Sequence, residues 1–321
     1  MSTHARSPNF LVVGAGRSGT TSMHHYLGRH PEVFVPAHKS PSYFYCIDAT
    51  TPVEIERRLE VRNYFVPDLR DYVRLFETHG TEPAVGEVSP VYLSSTRVAG
   101  RIAEWNPEMR IIAVLRNPVD RVRARYAARR QSGLERAPDL AAAIAPELDQ
   151  PLDLDDTAGT YLAAGFTSHI LRTYVERFPS ENLCFRSFDD LVADPQSFMA
   201  GVFAFLGVDT NFEVDMSRVH NKSGGQISNP LMRFLWSRSA LARTAVRPYI
   251  PVAVRDRALS LATRNTQPRS DWSETARFLT GYFAEEVKDL ASITGLDLGK
   301  WLQADDDEDP GSAGASSGGT Q

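Results

Sequence analysis

Short apolar runs at Phe10–Val13, Val33–Val35, Ala84–Val88, Ile111–Leu115 and Leu183–Phe185 are spaced along the chain between longer stretches of mixed polarity. Runs of this length without polar alternation fit strands buried on both faces. Between most of them, Thr20–Arg29, Arg97–Trp105, Val119–Arg130, Ser168–Phe178 and Gln196–Leu206 place apolar residues three and four apart, the spacing of helices with one buried face. Strand and helix in alternation predict an α/β fold with a central, mostly parallel sheet flanked by helices in three layers. No internal repeat interrupts this order.

The ends depart from the pattern. Residues 1–8 are polar, and residues 304–321 are acidic and then rich in Gly and Ser, with too little apolar surface to offset the entropy of ordering. One domain over residues 9–303 between two loose tails is therefore expected. Asn229–Arg269 carries eight arginines against one acid, Asp256, among Leu, Val, Trp and Ile, and contains Pro248 and Pro251. It reads either as amphipathic helices with a solvated basic face or as a surface for an anionic acceptor or membrane lipid.

Composition adds little. The chain has 321 residues, 42% hydrophobic and 23% charged, with a net charge of −5, which gives no overall electrostatic case for nucleic acid. Two cysteines, Cys46 and Cys184, form neither a disulfide framework nor a zinc spacing, and are expected as small buried groups in a reducing compartment. The start, MSTHARSPN, has no long apolar segment, so a cytoplasmic location is expected. No cluster of metal ligands stands out.

Candidate chemistry begins at FLVVGAGRSGTTS, residues 10–22. Gly14, Gly16 and Gly19 match G-x-G-x-x-G, and Gly14 with Gly19 has the spacing of a P-loop. A strand, a glycine turn and a helix opening near Thr20 would aim backbone N–H groups and a helix dipole at one anion. A dinucleotide site needs an acid about 20 residues on, where this chain has Lys39. A nucleoside-triphosphate loop needs Lys after Gly19, where this chain has Thr20. What remains is a phosphate-type loop with a cation, Arg17, inside it and the hydroxyls of Thr20, Thr21 and Ser22 after it.

That combination resembles the 5′-phosphosulfate loop of sulfotransferases that use 3′-phosphoadenosine 5′-phosphosulfate (PAPS). A second motif, IIAVLRNPVDRVRARY at residues 111–126, is similar to the strand–Arg–helix unit with which that family binds the 3′-phosphate. GEVSPVYL (86–93), the segment 176–208, HNKSGG (220–225) and the Gly295-x-Asp297-Leu298-x-x-Trp301 pattern extend the resemblance over most of the chain. The segments look nearest to bacterial relatives of the heparan and other carbohydrate enzymes.

The resemblance implies a P-loop-like sulfotransferase fold and transfer of a sulfonate from PAPS to a hydroxyl or amine of a carbohydrate, glycolipid or secondary metabolite, with no metal. It implies that Gly16, Arg17, Ser18, Gly19, Thr20, Thr21 and Ser22 hold the phosphosulfate. Arg116 and Arg121, with Asn221, Lys222, Ser223 and Gly224, would hold the adenosine and 3′-phosphate. Arg17, with the loop N–H groups and Thr20–Ser22, would stabilise the leaving group, and Lys39 matches a catalytic lysine that precedes the acceptor site on the phosphosulfate side. The family's Glu and His near the acceptor fall on Ser40 and Ser42, neither of which is a competent base, so Glu87 is the first substitute and His38 the second; Glu87 reads equally well as a structural hydrogen-bond partner of the loops. The family serine that grips the 3′-phosphate falls on Ala124, with Arg121, Arg123 or Arg125 as replacements. Residues 131–157 and 229–269 would wall the acceptor site. Rival readings are a sulfotransferase-fold protein that binds nucleotide with little or no catalysis, and a P-loop kinase.

Overall fold

The computed structural model describes residues 7–47, 65–214 and 272–303. Asn221, Lys222, Ser223, Gly224, the basic segment 229–269 and most of both tails lie outside the described residues. Five parallel strands form one sheet in the order β2-β3-β1-β4-β5. They are β1 Phe10–Val12, β2 Val33–Phe34, β3 Ala84–Val88, β4 Arg110–Leu115 and β5 Leu183–Ser187. The expected α/β sheet is thus observed, with each apolar run forming its own strand.

The two faces of the sheet bury alternate residues. Leu11, Val13, Ile111, Ala113 and Leu115 belong to one apolar cluster, while Phe10, Val12, Ile112 and Val114 belong to another. This period-2 division explains why β1 and β4 show no polar alternation: both faces are covered. One face is closed by α2 (Tyr43–Cys46), α4 (Arg97–Trp105), α7 (Ser168–Val175) and α11 (Ala284–Thr294). The other is closed by α1 (Thr20–Leu27) and α9 (Pro195–Leu206). Gly86 on β3 lies against Phe10 so closely that a Cβ there would collide with the Phe10 ring.

The remaining helices are α3 (Leu69–Arg74), α5 (Pro118–Ser132), α6 (Leu140–Leu148), α8 (Phe188–Ala193) and α10 (Ser273–Tyr282). The 131–157 segment contains α6, whose Glu147 accepts the backbone N–H groups of Tyr161 and Leu162 at 2.7 and 2.6 Å. A third apolar cluster joins α5, α6 and α10 through Val122, Ile144, Leu279 and Phe283. Both cysteines are buried and neither is in a disulfide. Among the described residues no helix is long and apolar enough to cross a membrane.

Strand order places the chemistry. From β1 the chain crosses to β2 and β3 on one side and to β4 and β5 on the other, so the loops after β1 and β4 part at a topological switch point. In open α/β sheets that crevice at the strands' C-terminal ends receives the ligand.

Candidate active site

The loop after β1 is shaped by two left-handed residues, Arg17 at φ 71° and Gly19 at φ 72°. Gly19 suits this conformation, and a Cβ there would come within 2.6 Å of Leu191 Cδ2. Arg17 holds it against the steric cost to an L-residue, a strain of the kind found at ligand sites. Gly19 is also the N-cap of α1 and brings no side chain to its first N–H groups. No acidic residue lies in the first turn of α1, so its positive end is left for an external anion. Ser18 is fully buried and its Oγ has no hydrogen-bond partner among the described residues.

Three cations gather at this helix end. Arg116, just beyond β4, donates from Nη1 to the Arg17 carbonyl at 2.8 Å, which clamps the loop to the neighbouring strand. Its guanidinium lies 4.7 Å from the centre of the Phe188 ring and 3.8 Å from Asp120. Lys39, after β2, donates to Thr21 Oγ1 at 2.7 Å. Desolvation and the charge of Arg17 bring the Lys39 ammonium down to about 8. Burial and Arg116 likewise lower Arg17. Among the described residues neither Arg17 nor Lys39 has a carboxylate partner, so mutual repulsion is relieved only by a bound anion.

The segment after β2 is held from both sides. His24 of α1 approaches the Pro36 carbonyl at 2.9 Å. Ser40 and Ser42 both adopt φ 58°. The Ser40 hydroxyl donates to the Val88 carbonyl at 3.1 Å and the Ser42 hydroxyl to the Ser40 carbonyl at 3.0 Å. Both serines therefore shape the loop. His38 is half-buried, one residue before Lys39.

Glu87 takes the second of its two readings. Sequence reading gave it first place as proton acceptor, but at 1% exposure its Oε1 accepts from Tyr72 Oη at 2.9 Å and Tyr92 Oη at 2.6 Å, and its Oε2 from Ser89 Oγ at 2.6 Å. Burial pushes its carboxyl up to about 7 against the pull of these three donors. A carboxylate so enclosed reaches no acceptor proton directly. Tyr92 and Ser89 stood in the GEVSPVYL motif without a stated role, and Tyr72 left no local signal because it arrives from α3.

Arg121 also differs from expectation. It is 6% exposed, and burial and Arg125 lower it to about 10, while the Glu286 carboxylate pulls the other way. Glu286, itself buried, accepts the N–H groups of Thr167 and Ser168 at 2.7 and 2.8 Å and the Ser168 hydroxyl at 2.6 Å. Arg121 thus belongs to the interior beside Glu286. Arg123 instead stacks 4.0 Å over Trp272 and lies near enough to repel Arg116. Ala124 is buried, 7% exposed. Trp301 of the final sequence motif donates to Asp189 at 2.6 Å, and Asp189 in turn supports the charge of Arg116.

The sequence and the fold have counterparts in known proteins. The model of the Sulfotransferase family matches residues 8–212, and the chain belongs to that family. It is 28% identical over 205 residues to the human bifunctional heparan sulfate N-deacetylase/N-sulfotransferase 2, covering 63% of this chain and 22% of that protein. With mouse heparan sulfate glucosamine 3-O-sulfotransferase 6 it shares 27% identity over 203 residues, 63% of this chain and 53% of the relative. The chain thus spans about a fifth to a half of the length of these relatives. A sulfotransferase structure from Alicyclobacillus acidocaldarius superposes with a TM-score of 0.65 at 25% identity, covering 92% of this chain and 99% of that one.

Proposed function

We propose that the protein transfers a sulfonate group from PAPS to a hydroxyl or amine of a carbohydrate, glycolipid or secondary metabolite. The observation that carries this reading is the convergence of Arg17, Lys39 and Arg116 at the uncapped end of α1, where burial and then a neighbouring cation lower both Arg17 and Lys39. An arrangement of that kind binds a multiply charged anion with little rearrangement. The partnerless Ser18 hydroxyl is consistent with it.

In the proposed reaction the N–H groups of Gly16–Thr21 and the hydroxyls of Thr20, Thr21 and Ser22 hold the phosphosulfate. Arg116 holds the 3′-phosphate side. Arg17 and Lys39 face the bridging oxygen, where negative charge grows as its bond to sulfur breaks. The acceptor oxygen or nitrogen forms the new bond to sulfur, and its proton leaves to His38, the half-buried base candidate beside Lys39. The products are the sulfated acceptor and 3′-phosphoadenosine 5′-phosphate (PAP). We assign residues 9–303 to one catalytic domain and 131–157, with 229–269, to the acceptor walls. Two buried cysteines outside any disulfide are in keeping with a reducing, cytoplasmic setting.

The test uses calorimetry and labelled donor together. PAP should bind at least tenfold more tightly than AMP, and incubation with labelled PAPS and the host's glycans and small molecules should yield a sulfated species. Equal binding of PAP and AMP would exclude the donor assignment. PAP binding without any transfer would favour the reading as a nucleotide-binding protein.

A further inference from the structure

Glu87 lies under the segment that carries Lys39. Two of its three hydroxyl donors accept hydrogen bonds in turn: Ser89 Oγ from the backbone N–H of Ser42 at 3.1 Å, and Tyr92 Oη from that of Phe44 at 3.3 Å. A hydroxyl has one hydrogen. Because Ser89 and Tyr92 commit theirs to the carboxylate, their lone pairs are left for Ser42 and Phe44. Tyr72 donates to the same carboxylate without such a second link.

The segment needs this support. Ser42 is the N-cap of α2, but its own hydroxyl gives the helix no cap and turns back to the Ser40 carbonyl. Both serines sit in the left-handed region at φ 58°, a conformation that persists only where surrounding bonds over-determine it. We propose that Glu87 is a positioning residue which, through Ser89 and Tyr92, fixes residues 39–44 and so holds the Lys39 ammonium at Thr21, facing the donor site. The inference rests on the proposed function for what Lys39 acts upon, but the relay itself does not depend on the donor.

Glu87→Gln distinguishes this relay from mere filling of space. With its amide oxygen in place of Oε1, the glutamine NH2 meets Ser89, which must accept from it, keep its other lone pair for Ser42 N–H and turn its hydrogen away from the acceptor it had. In the opposite orientation the NH2 meets the tyrosines, and Tyr92 can no longer donate to residue 87 while accepting from Phe44. Either orientation reverses a bond that set the direction of a hydroxyl and so loosens one link although the side chain keeps its shape.

The experiment reads the titration of Lys39 in the full chain, by its rate of acetylation across pH followed by mass spectrometry. Glu87→Gln and Ser89→Ala should move its midpoint from about 8 upward toward that of a solvated lysine. Tyr72→Phe, which removes a bond to Glu87 but no link to the segment, should leave it in place. Circular dichroism checks that each variant folds, and Ser89→Ala serves alone if Glu87→Gln does not. An unchanged Lys39 midpoint in folded Ser89→Ala, or an equal shift in Tyr72→Phe, overturns the relay. PAP binding by the unmodified protein is measured separately: its failure would remove the donor reading and leave the relay standing.

Discussion

The Lys39 ammonium donates to Thr21 Oγ1 at 2.7 Å, joining the loop after β2 to the first turn of α1 across the mouth of the phosphate loop. Its titration has a definite sign. An unfolded lysine keeps its proton to about 10.4, whereas in the folded chain burial and Arg17 lower Lys39 to about 8. Between these values the unfolded chain binds more protons, so the penalty on the fold is complete below about pH 8 and fades as pH rises toward about 10.4. Lys39→Met keeps most of the apolar stem and removes the charge. The melting temperature of the variant relative to the unmodified protein should therefore be highest near pH 7 and fall between pH 8 and 10. Scanning calorimetry at several pH values checks this, and a difference independent of pH would contradict it. In the same variant PAP affinity should drop at least tenfold.

Arg17 combines charge with backbone strain, and two substitutions separate them. Arg17→Ala and Arg17→Gly both remove the guanidinium while keeping the carbonyl that Arg116 grips. At φ 71° alanine retains the left-handed cost that glycine avoids, so Arg17→Gly should be more stable than Arg17→Ala by about 1 kcal/mol. Both variants should lose sulfonate transfer by about a hundredfold or more while PAP binding changes less, because the charge acts on the departing oxygen. Urea unfolding and single-turnover kinetics with PAPS provide the two readings. Undiminished turnover in either variant would exclude the role.

The strands and the strand–turn–helix units at residues 10–27 and 110–132 were legible because they are local. Arg97–Trp105 forms a helix with the expected ends, and β3 spans the expected Ala84–Val88. The phosphate loop is a strand, a turn and a helix in succession, all present in thirteen consecutive residues. What escaped depends on partners distant in sequence. Tyr72 reaches Glu87 from fifteen residues away, and Arg121 meets Glu286, a residue of the closing helices. A lone buried carboxylate and a proton acceptor look alike in a sequence, since only the number of donors around the side chain separates them. Helix α6 escaped for another reason. Its residues 140–148 read LAAAIAPEL, where Pro146 and a nearly uniform apolar face hide the helical period.

Glu286 holds two elements at once. Its carboxylate receives the Thr167 and Ser168 N–H groups at the start of α7 and offsets the buried charge of Arg121. Glu286→Ala would leave those N–H groups without their acceptor and remove a carboxylate that favours the Arg121 charge, a loss of about 2–3 kcal/mol. A fall of several degrees in melting temperature is expected, with PAP affinity at saturating folded protein little altered, since Arg121 belongs to the interior. Parallel calorimetric and binding measurements test both halves; a stable variant would contradict the first, and selective loss of PAP over AMP binding would return Arg121 to the cofactor.

Under the proposed function, Arg123 is the arginine best placed to stand in for a hydroxyl at Ala124. Arg116 reaches Asp120, and one turn further along α5 residues 123 and 124 flank the same face, while 121 and 125 turn away at 100° per residue. Arg123 stacks on Trp272 and repels Arg116, as two cations sharing one anion do before it binds. Arg123→Ala should therefore weaken PAP binding by about tenfold or more and leave AMP binding almost unchanged, because only PAP carries the 3′-phosphate. Ala124→Ser adds a neutral donor on that face and should strengthen PAP binding by up to about tenfold. Introduced into Arg123→Ala, the serine should recover part of the lost discrimination. Isothermal titration of PAP and AMP against the three variants decides the matter, and equal losses for both nucleotides in Arg123→Ala would remove the assignment.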